Sequence, residues 1–396
     1  MMRTLINNDF SNRRALIRVD FNVPLDENLK VTDSTRILAA KESIEYILSN
    51  GGSCVLISHL GRPKGKDPAL SLSHIVYKVS EVLGLNIYFC DDCIGSNAEA
   101  AASALKPGEV LLMENLRYYS EETAGDTNFA LALSKLGDFY VNDAFGTAHR
   151  AHSSTTIIAQ FFDEEKYFGK LLEREFKAVQ KIMKTGDKPV LAILGGAKVS
   201  SKITIIENIL DKIDHLIIGG GMVYTFVKAL GGNIGQSICE DNYTDFALEL
   251  IEKAKLKNVK IHLPIDVIIA DSFSNNANKK ICKASEIPDN WQGLDAGPET
   301  LNAFEKVVMN SKTILWNGPL GVFEFEKFSI GTIVLGKIIG KSTSAGAFSL
   351  VGGGDSVAAV KQFSLESKMS YISTGGGAML ECLEGKMLPG IEALLN

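Results

Sequence analysis

What the chain lacks narrows its function first. No apolar run comes near the ~20 residues that a membrane-spanning helix needs. The first ten residues hold no apolar stretch of the signal-peptide kind, so a cytoplasmic protein is expected. Basic residues are not in excess: 41 Lys and Arg stand against 47 Asp and Glu, a net charge of −6. That argues against nonspecific nucleic-acid binding, which needs a basic surface. Of the six cysteines only Cys90 and Cys93 form a close C-x-x-C pair, with no second pair or ligating histidine beside it. They read as incidental reduced thiols rather than a redox or metal site. Neither a three-residue collagen period nor a short solenoid repeat is present.

What is present is an ordinary globular composition, 45% hydrophobic and 22% charged over 396 residues. At ~150 residues per domain this length suggests two to three domains. Glycine is the unusual component. Eleven of the 36 glycines lie in residues 1–170, which leaves 25 in the remainder, gathered in clusters.

One local pattern returns along the chain. A short apolar run stops at a polar or glycine-rich loop, and a helical pattern follows. Cys54–Ser58 precedes His59-Leu-Gly-Arg62, and Val190–Leu194 precedes Gly195-Gly196. Leu216–Ile218 precedes Gly219-Gly-Gly221, and Phe348–Val351 precedes Gly352-Gly-Gly354. Continuous apolar strands alternating with helices predict parallel α/β sheets, with ligands beyond the carboxyl ends of the strands. Leu172, Phe176, Val179 and Met183 lie on one face of a helix that Gly186 and Pro189 end. That helix reads equally as a connector between two α/β units or as an ordinary sheet-covering helix.

The loops of the two halves differ in chemistry. The first half places Arg18, His59, Arg62, Arg117, His149 and Arg150 after its strands, which suits a compact anion. Whether Arg36, Arg62, Arg117 and Arg150 converge is not visible from spacing. The second half places glycines there, which suits close backbone approach to a larger phosphate-bearing ligand. In Gly195-Gly-Ala-Lys198-Val-Ser-Ser-Lys202 a helix is expected to open, with both lysines on one face. Cations at a helix N-terminus oppose its dipole, a penalty that disappears beside a polyphosphate. Asp355, after Gly352-Gly-Gly354, suits either a first-turn acid or a carboxylate for Mg2+ on phosphates.

Some resemblances are false. Gly336–Ser342 has three residues between its glycines where a P-loop has four, and Gly219–Tyr224 lacks the full G-x-G-x-x-G spacing. His149 and His152 are irregularly spaced and have no cysteine near, which makes zinc unexpected.

Taken together, Leu16-Ile-Arg-Val-Asp20-Phe-Asn22-Val-Pro24, Ser58-His59-Leu-Gly-Arg62-Pro-Lys-Gly65, Glu114-Asn-Leu-Arg117 and Asn142-Asp-Ala-Phe-Gly-Thr-Ala-His-Arg150 resemble phosphoglycerate kinases. In the second half Gly195–Lys202, Gly219-Gly-Gly-Met222, Trp316-Asn-Gly-Pro319, Gly352-Gly-Gly-Asp-Ser356 and Ser373-Thr-Gly-Gly-Gly377 continue the match in order. The resemblance implies two doubly wound parallel-sheet, Rossmann-like α/β domains joined by a helix. It places an N-terminal phosphoglycerate-binding domain at 1–168, an interdomain helix at 169–186 and a C-terminal nucleotide-binding domain at 187–379. Residues 380–396 would pack back on the first domain. The implied reaction moves a phosphoryl group between 1,3-bisphosphoglycerate and MgADP, giving 3-phosphoglycerate and MgATP. A monomer without nucleic-acid or membrane partners is implied too.

The resemblance also implies roles. Asp20, Phe21 and Asn22 should meet the glycerate end. His59, Leu60, Gly61, Arg62, Arg117 and Arg150 should surround its phosphate. Arg36 and Lys198 should flank the transferring group. Lys202, Asn317, Gly352, Gly353, Gly354 and Ser356 should face the nucleotide phosphates. Gly293 should line the adenine pocket, Glu324 should reach the ribose, and Asp355 should reach Mg2+. The alternatives are a two-domain nicotinamide-dependent dehydrogenase, which would want the full glycine fingerprint, and a non-catalytic nucleotide-binding homologue.

Overall fold

A computed structural model describes residues 2–396. The chain forms two compact units. One runs to Phe176 and takes in Met387–Asn396, and the other is Lys177–Lys386. The division falls inside the helix Lys170–Gln180, which continues as a π-helical turn over Lys181–Thr185.

The first unit is built on β1 (Arg14–Val19), β2 (Ser53–Ile57), β3 (Ile87–Cys90), β4 (Val110–Met113), β5 (Phe139–Asp143) and β6 (Lys166–Phe168). They are parallel and ordered β3-β4-β2-β1-β5-β6. Every residue of β2, β4 and β5 is buried. That is why these strands read as unbroken apolar runs instead of alternating ones. Winding proceeds to one side of β1 and then restarts on the other with β5. The β1–β5 boundary is therefore the switch point, where the loops on either side diverge and leave a crevice. The C-terminal helix Pro389–Leu395 packs within this unit against Ile157–Phe161 and β6.

The second unit contains β7 (Val190–Leu194), β8 (His215–Ile218), β9 (Asn233–Ile234), β10 (Lys260–His262), β11 (Asp266–Ala270), β12 (Lys279–Lys283), β13 (Glu286–Ile287), β14 (Gln292–Ala296), β15 (Thr313–Asn317), β16 (Phe348–Val351) and β17 (Tyr371–Ile372). Its main sheet is parallel, ordered β10-β8-β7-β15-β16-β17, with the switch point between β7 and β15. Trp316 is fully buried in the core beneath it. Beside it lies an antiparallel sheet, β12-β11-β14, that the apolar runs of the sequence do not announce. It covers a small cluster of Ile268, Ala270, Ala277, Leu294 and Phe328.

The helix Lys170–Gln180 starts where it does for a nonlocal reason. Asp143 at the end of β5 accepts the N–H groups of Leu171 (2.9 Å) and Leu172 (3.2 Å), two of the donors that a helix start leaves unpaired. A side chain at Gly169 would overlap that carboxylate. Of the predicted helical face, Leu172 and Val179 are buried and Phe176 lies against Phe168. The P-loop-like stretch Gly336–Ser342 lies inside the helix Ile330–Ser344, where it cannot wrap a phosphate.

Candidate active site

The first candidate site lies at the carboxyl ends of β1, β2, β4 and β5, on the switch-point side of the sheet. Just after β1, Asp20 is 8% exposed and pairs with Arg36, Nη1 to Oδ2 at 3.1 Å. Arg36 also donates to the carbonyl of Asn22 at 3.0 Å. Asn22 Oδ1 in turn accepts the Gly61 N–H at 2.8 Å, which ties the loop after β1 to the loop after β2. The side chains of Phe21 and Leu60 belong to the core, so these two residues offer only backbone to a ligand.

Arg62, Arg117, Arg150 and His152 line one cleft of about 400 Å3, so three of the four arginines whose convergence spacing left open do share a wall. Arg36 is near enough, with Arg18, Arg117 and Arg150, to act electrostatically on His59. Arg117 is 7% exposed. Its Nη1 donates to the Gly61 carbonyl at 2.7 Å, while its buried Nε and Nη2 have no partner among the described residues. Burial, then the neighbouring Arg150 and Arg18, bring its guanidinium down to about 10. Such a cluster disfavours cations and favours an anion.

Arg18 does not follow its strand as its place in the sequence suggests. It lies inside β1 and is fully buried. Its Nε donates to Ser154 Oγ (2.9 Å), and Ser154 Oγ donates to Glu122 Oε1 (2.6 Å). Its Nη2 meets His59 Nδ1 at 3.1 Å. A guanidinium only donates, so Nδ1 is the acceptor. Burial and four arginines hold His59 well below the usual imidazole range, so the ring is neutral and carries its proton on Nε2. Burial and Arg117 likewise bring His152 down to about 4. The only signal of this network in the sequence is an arginine in the middle of an apolar strand. Its partners are 41 and 136 residues away.

The second candidate site lies in the other unit, beyond β7, β8, β15 and β16. Gly196, Gly221, Gly293, Glu324 and Asp355 line a cleft of about 480 Å3 together with Tyr224, Phe273, Leu320 and Phe323, which had not been singled out. Glu324 and Asp355 are exposed on its wall. A side chain at Gly293 would meet Tyr224 Oη at 1.8 Å, so the aromatic needs the glycine.

Two expectations change here. The helix after β7 opens at Ile203, not at Lys198. Lys198 therefore sits in a loop and shares no helix face with Lys202, because Gly196 turns the chain at φ +106° and Ser200 is drawn to Glu240 instead of into a helix. The glycines also have two separate tasks. Added side chains at Gly195 and Gly220 would strike backbone of neighbouring loops at 2.1 and 2.5 Å, and at Gly352 would strike Met379 Sδ at 2.1 Å. Those glycines pack loop on loop. Gly196, Gly354 and Gly377 instead face open space.

Lys202 is half-buried and bonds through Nζ to Asn317 Oδ1, and Asn317 Nδ2 donates to the Gly352 carbonyl at 2.7 Å. Burial lowers Lys202 against the opposing pull of Asp355, which puts both groups in one electrostatic neighbourhood. Ser356 is buried, and its Oγ accepts the Gly318 N–H at 2.5 Å, so it joins two loops. Among the described residues no group of three or more His, Cys, Asp or Glu is arranged to hold a metal. Asp355 is a lone carboxylate beside open glycine backbone, a donor set that fits Mg2+ arriving on phosphates better than a resident ion.

A cationic cleft for a small anion and a glycine-walled cleft of nucleoside size, each at an α/β switch point, define a phosphotransferase-like architecture. The phosphoglycerate kinase family model matches residues 5–386. A phosphoglycerate kinase of Porphyromonas gingivalis is 52% identical over a 410-residue alignment covering 98% of both chains. A cytosolic phosphoglycerate kinase of Nicotiana tabacum is 49% identical, over 98% of this chain and 96% of its own. The solved phosphoglycerate kinase of Coxiella burnetii superposes with a TM-score of 0.92 at 40% identity, over 100% of this chain and 99% of that one. The chain belongs to the phosphoglycerate kinase family, and it is a phosphotransferase with a carboxyl group as acceptor. Neither the dehydrogenase nor the non-catalytic alternative is supported.

Proposed function

We propose that the chain transfers a phosphoryl group reversibly between 1,3-bisphosphoglycerate and MgADP, giving 3-phosphoglycerate and MgATP, as a step of glycolysis. The observation that carries the substrate assignment is Arg117, with two buried donors lacking a partner among the described residues in a cleft walled by Arg62, Arg150 and His152. A phosphate dianion accepts from both and offsets the repulsion among the arginines. Neutral His59 donates through Nε2. Asp20 and Asn22 receive the glycerate hydroxyl end, and Arg36 meets the acyl carboxylate.

In the other unit the cleft near Gly293 takes the base and Glu324 the ribose. Lys202, Asn317 and the open backbone at Gly354 take the phosphates, and Lys198 meets the transferring group. Asp355 would be the protein carboxylate that holds Mg2+ arriving on the nucleotide phosphates, where the ion would neutralise their charge. In the forward direction an ADP β-phosphate oxygen attacks phosphorus and a carboxylate leaves. Both are ionised at neutral pH, so the chemistry needs no general base. The protein supplies alignment and charge for a loose transition state. The two ligands must meet in line, so the proposed cycle includes a closure step that also excludes water.

Among the described residues no helix is long and apolar enough to cross a membrane. A cytoplasmic monomer is the proposed working form. A coupled assay tests the activity: ATP forms from 1,3-bisphosphoglycerate and MgADP, and absence of turnover by folded protein refutes it.

A further inference from the structure

We propose that Glu240 is a positioning residue for phosphoryl transfer, acting by fixing the loop that carries Lys198. This rests on the reading of Lys198 as the cation at the transferring group.

Between Gly196 and Lys202 the chain is neither strand nor helix, so no regular hydrogen-bond ladder sets the place of Lys198. What sets it is a clamp from a loop 40 residues further on. Ser200 donates its N–H to Glu240 Oε2 at 2.9 Å and its Oγ–H to Oε1 at 2.6 Å. Two bonds from one residue to both oxygens of one carboxylate fix orientation as well as distance. The clamp is itself fixed. The Glu240 N–H donates to Thr225 Oγ1 at 3.1 Å, and Thr225 is 1% exposed in the helix Val223–Ala229. On the other side of Lys198, Met222 N–H holds the Gly196 carbonyl at 2.9 Å, and on the Ser200 side Ser201 Oγ donates to the Lys198 carbonyl at 2.9 Å. Burial alone would raise the Glu240 carboxyl. The bonds from Ser200 and the field of Lys198 instead hold it below the usual range, so it is ionised at working pH.

A carboxylate near Lys198 would oppose the anionic substrate if it served only as charge. Its use is geometric: it takes the two Ser200 donors and aims the loop. Alignment in phosphoryl transfer is steeply sensitive to displacement, with a misplacement of about 1 Å costing on the order of a hundredfold.

The test is a double-mutant cycle with Lys198 in the full-length enzyme. Glu240→Gln keeps volume but turns one acceptor into a donor facing Ser200. It is expected to lower kcat by roughly tenfold or more, with KM for both substrates within about twofold. In a Lys198→Ala background the same change should lower kcat by less than about twofold, because there is no lysine left to aim. Ser200→Ala, which removes only the Oγ bond, should give a smaller fall of the same kind and serves if Glu240→Gln does not fold. A kcat within twofold of the parent in both single variants overturns the proposal. So does an equal fold-loss with and without Lys198, which would mark a merely structural role. If Lys198→Ala itself leaves kcat intact, the reading of Lys198 fails first, and the proposal with it.

Discussion

Replacing Arg117 by methionine should separate ligand binding from folding more cleanly than any other change in the first unit. The side chain is nearly buried, so methionine fills much of the same volume without a charge. It loses three things: the Nη1 bond to the Gly61 carbonyl, the two unpartnered donors, and a cation crowded by Arg150 and Arg18. A hydrogen bond to a charged group contributes about 1.5–3 kcal/mol, so two to a phosphate dianion contribute about 3–6 kcal/mol. Relief of repulsion among the remaining arginines returns part of that, which points to the lower half of the range. About 3–4 kcal/mol corresponds to a weakening of roughly a hundredfold to a thousandfold.

Calorimetry with 3-phosphoglycerate reads that directly, and steady-state KM should follow it while KM for nucleotide stays put. The unliganded melting temperature should not fall, since half-exposed Gly61 can bond water and an uncompensated buried charge is gone. Protection by the ligand should be largely lost. An affinity within threefold of the parent would refute the assignment of Arg117 to the phosphate. A large drop in unliganded stability would instead make Arg117 a structural residue.

Arg62→Ala, at an exposed guanidinium on the same cleft, should weaken phosphoglycerate binding and leave nucleotide binding unchanged; loss of nucleotide affinity alone would overturn the division of labour. Lys198→Ala should lower kcat far more than it weakens nucleotide binding, because its partner charge is greatest in the transition state. An unchanged kcat refutes that role. Asp295 gives a pH signature. Burial raises its folded-state value to about 7 from an ordinary 3.8, against the N–H groups of Gly331 and Ala296. The folded chain then holds the proton more tightly than the unfolded one. Stability is therefore fullest below about pH 4 and declines as pH rises through about 7, by an amount on the order of 4 kcal/mol. Asp295→Asn places an amide donor against one of those N–H groups, so its absolute stability is offset, but its stability relative to the parent should rise from pH 5 to pH 8 in chemical denaturation; a difference independent of pH refutes this.

The two sheets were legible because their strands are buried on both faces and so appear as short apolar runs ending at loops. The antiparallel insertion was not. β12 is Lys279-Lys-Ile-Cys-Lys283, mostly exposed, with Ile281 56% exposed, so it has no apolar face to read. The motif residues were legible one by one, but their meeting was not. Arg62, Arg117 and Arg150 come together because β2, β4 and β5 are neighbours or near neighbours in the sheet, an order the sequence does not spell out. The Lys198 loop has a helical sequence pattern but is not helix, because its decisive partner, Glu240, is distant in sequence. Local pattern expects a helix after a double glycine, and a nonlocal carboxylate delays it to Ile203.

On the proposed function the two clefts hold phosphate by different physics, and the difference follows from ligand size. A small dianion can be surrounded, so side chains at a sheet switch point reach it from several strands. The charge needed to do so is unfavourable when the anion is away. Glu122 is the compensation within the fold: fully buried, it accepts Ser154 N–H and Oγ–H and through Ser154 meets Arg18. One carboxylate does not balance Arg18, Arg117 and Arg150 together, and on the proposed function the bound anion relieves that excess. A nucleotide is too long to be surrounded in this way. The cleft proposed for it has a wall of backbone and mostly apolar side chains, with Glu324 and Asp355 as its charged members and Lys202 in the field of Asp355, and uncrowded amides would bind phosphate at no electrostatic cost in the empty state. The consequence is asymmetric salt dependence. Phosphoglycerate binding should weaken steeply with competing sulfate, whereas the apolar part of nucleotide binding should persist.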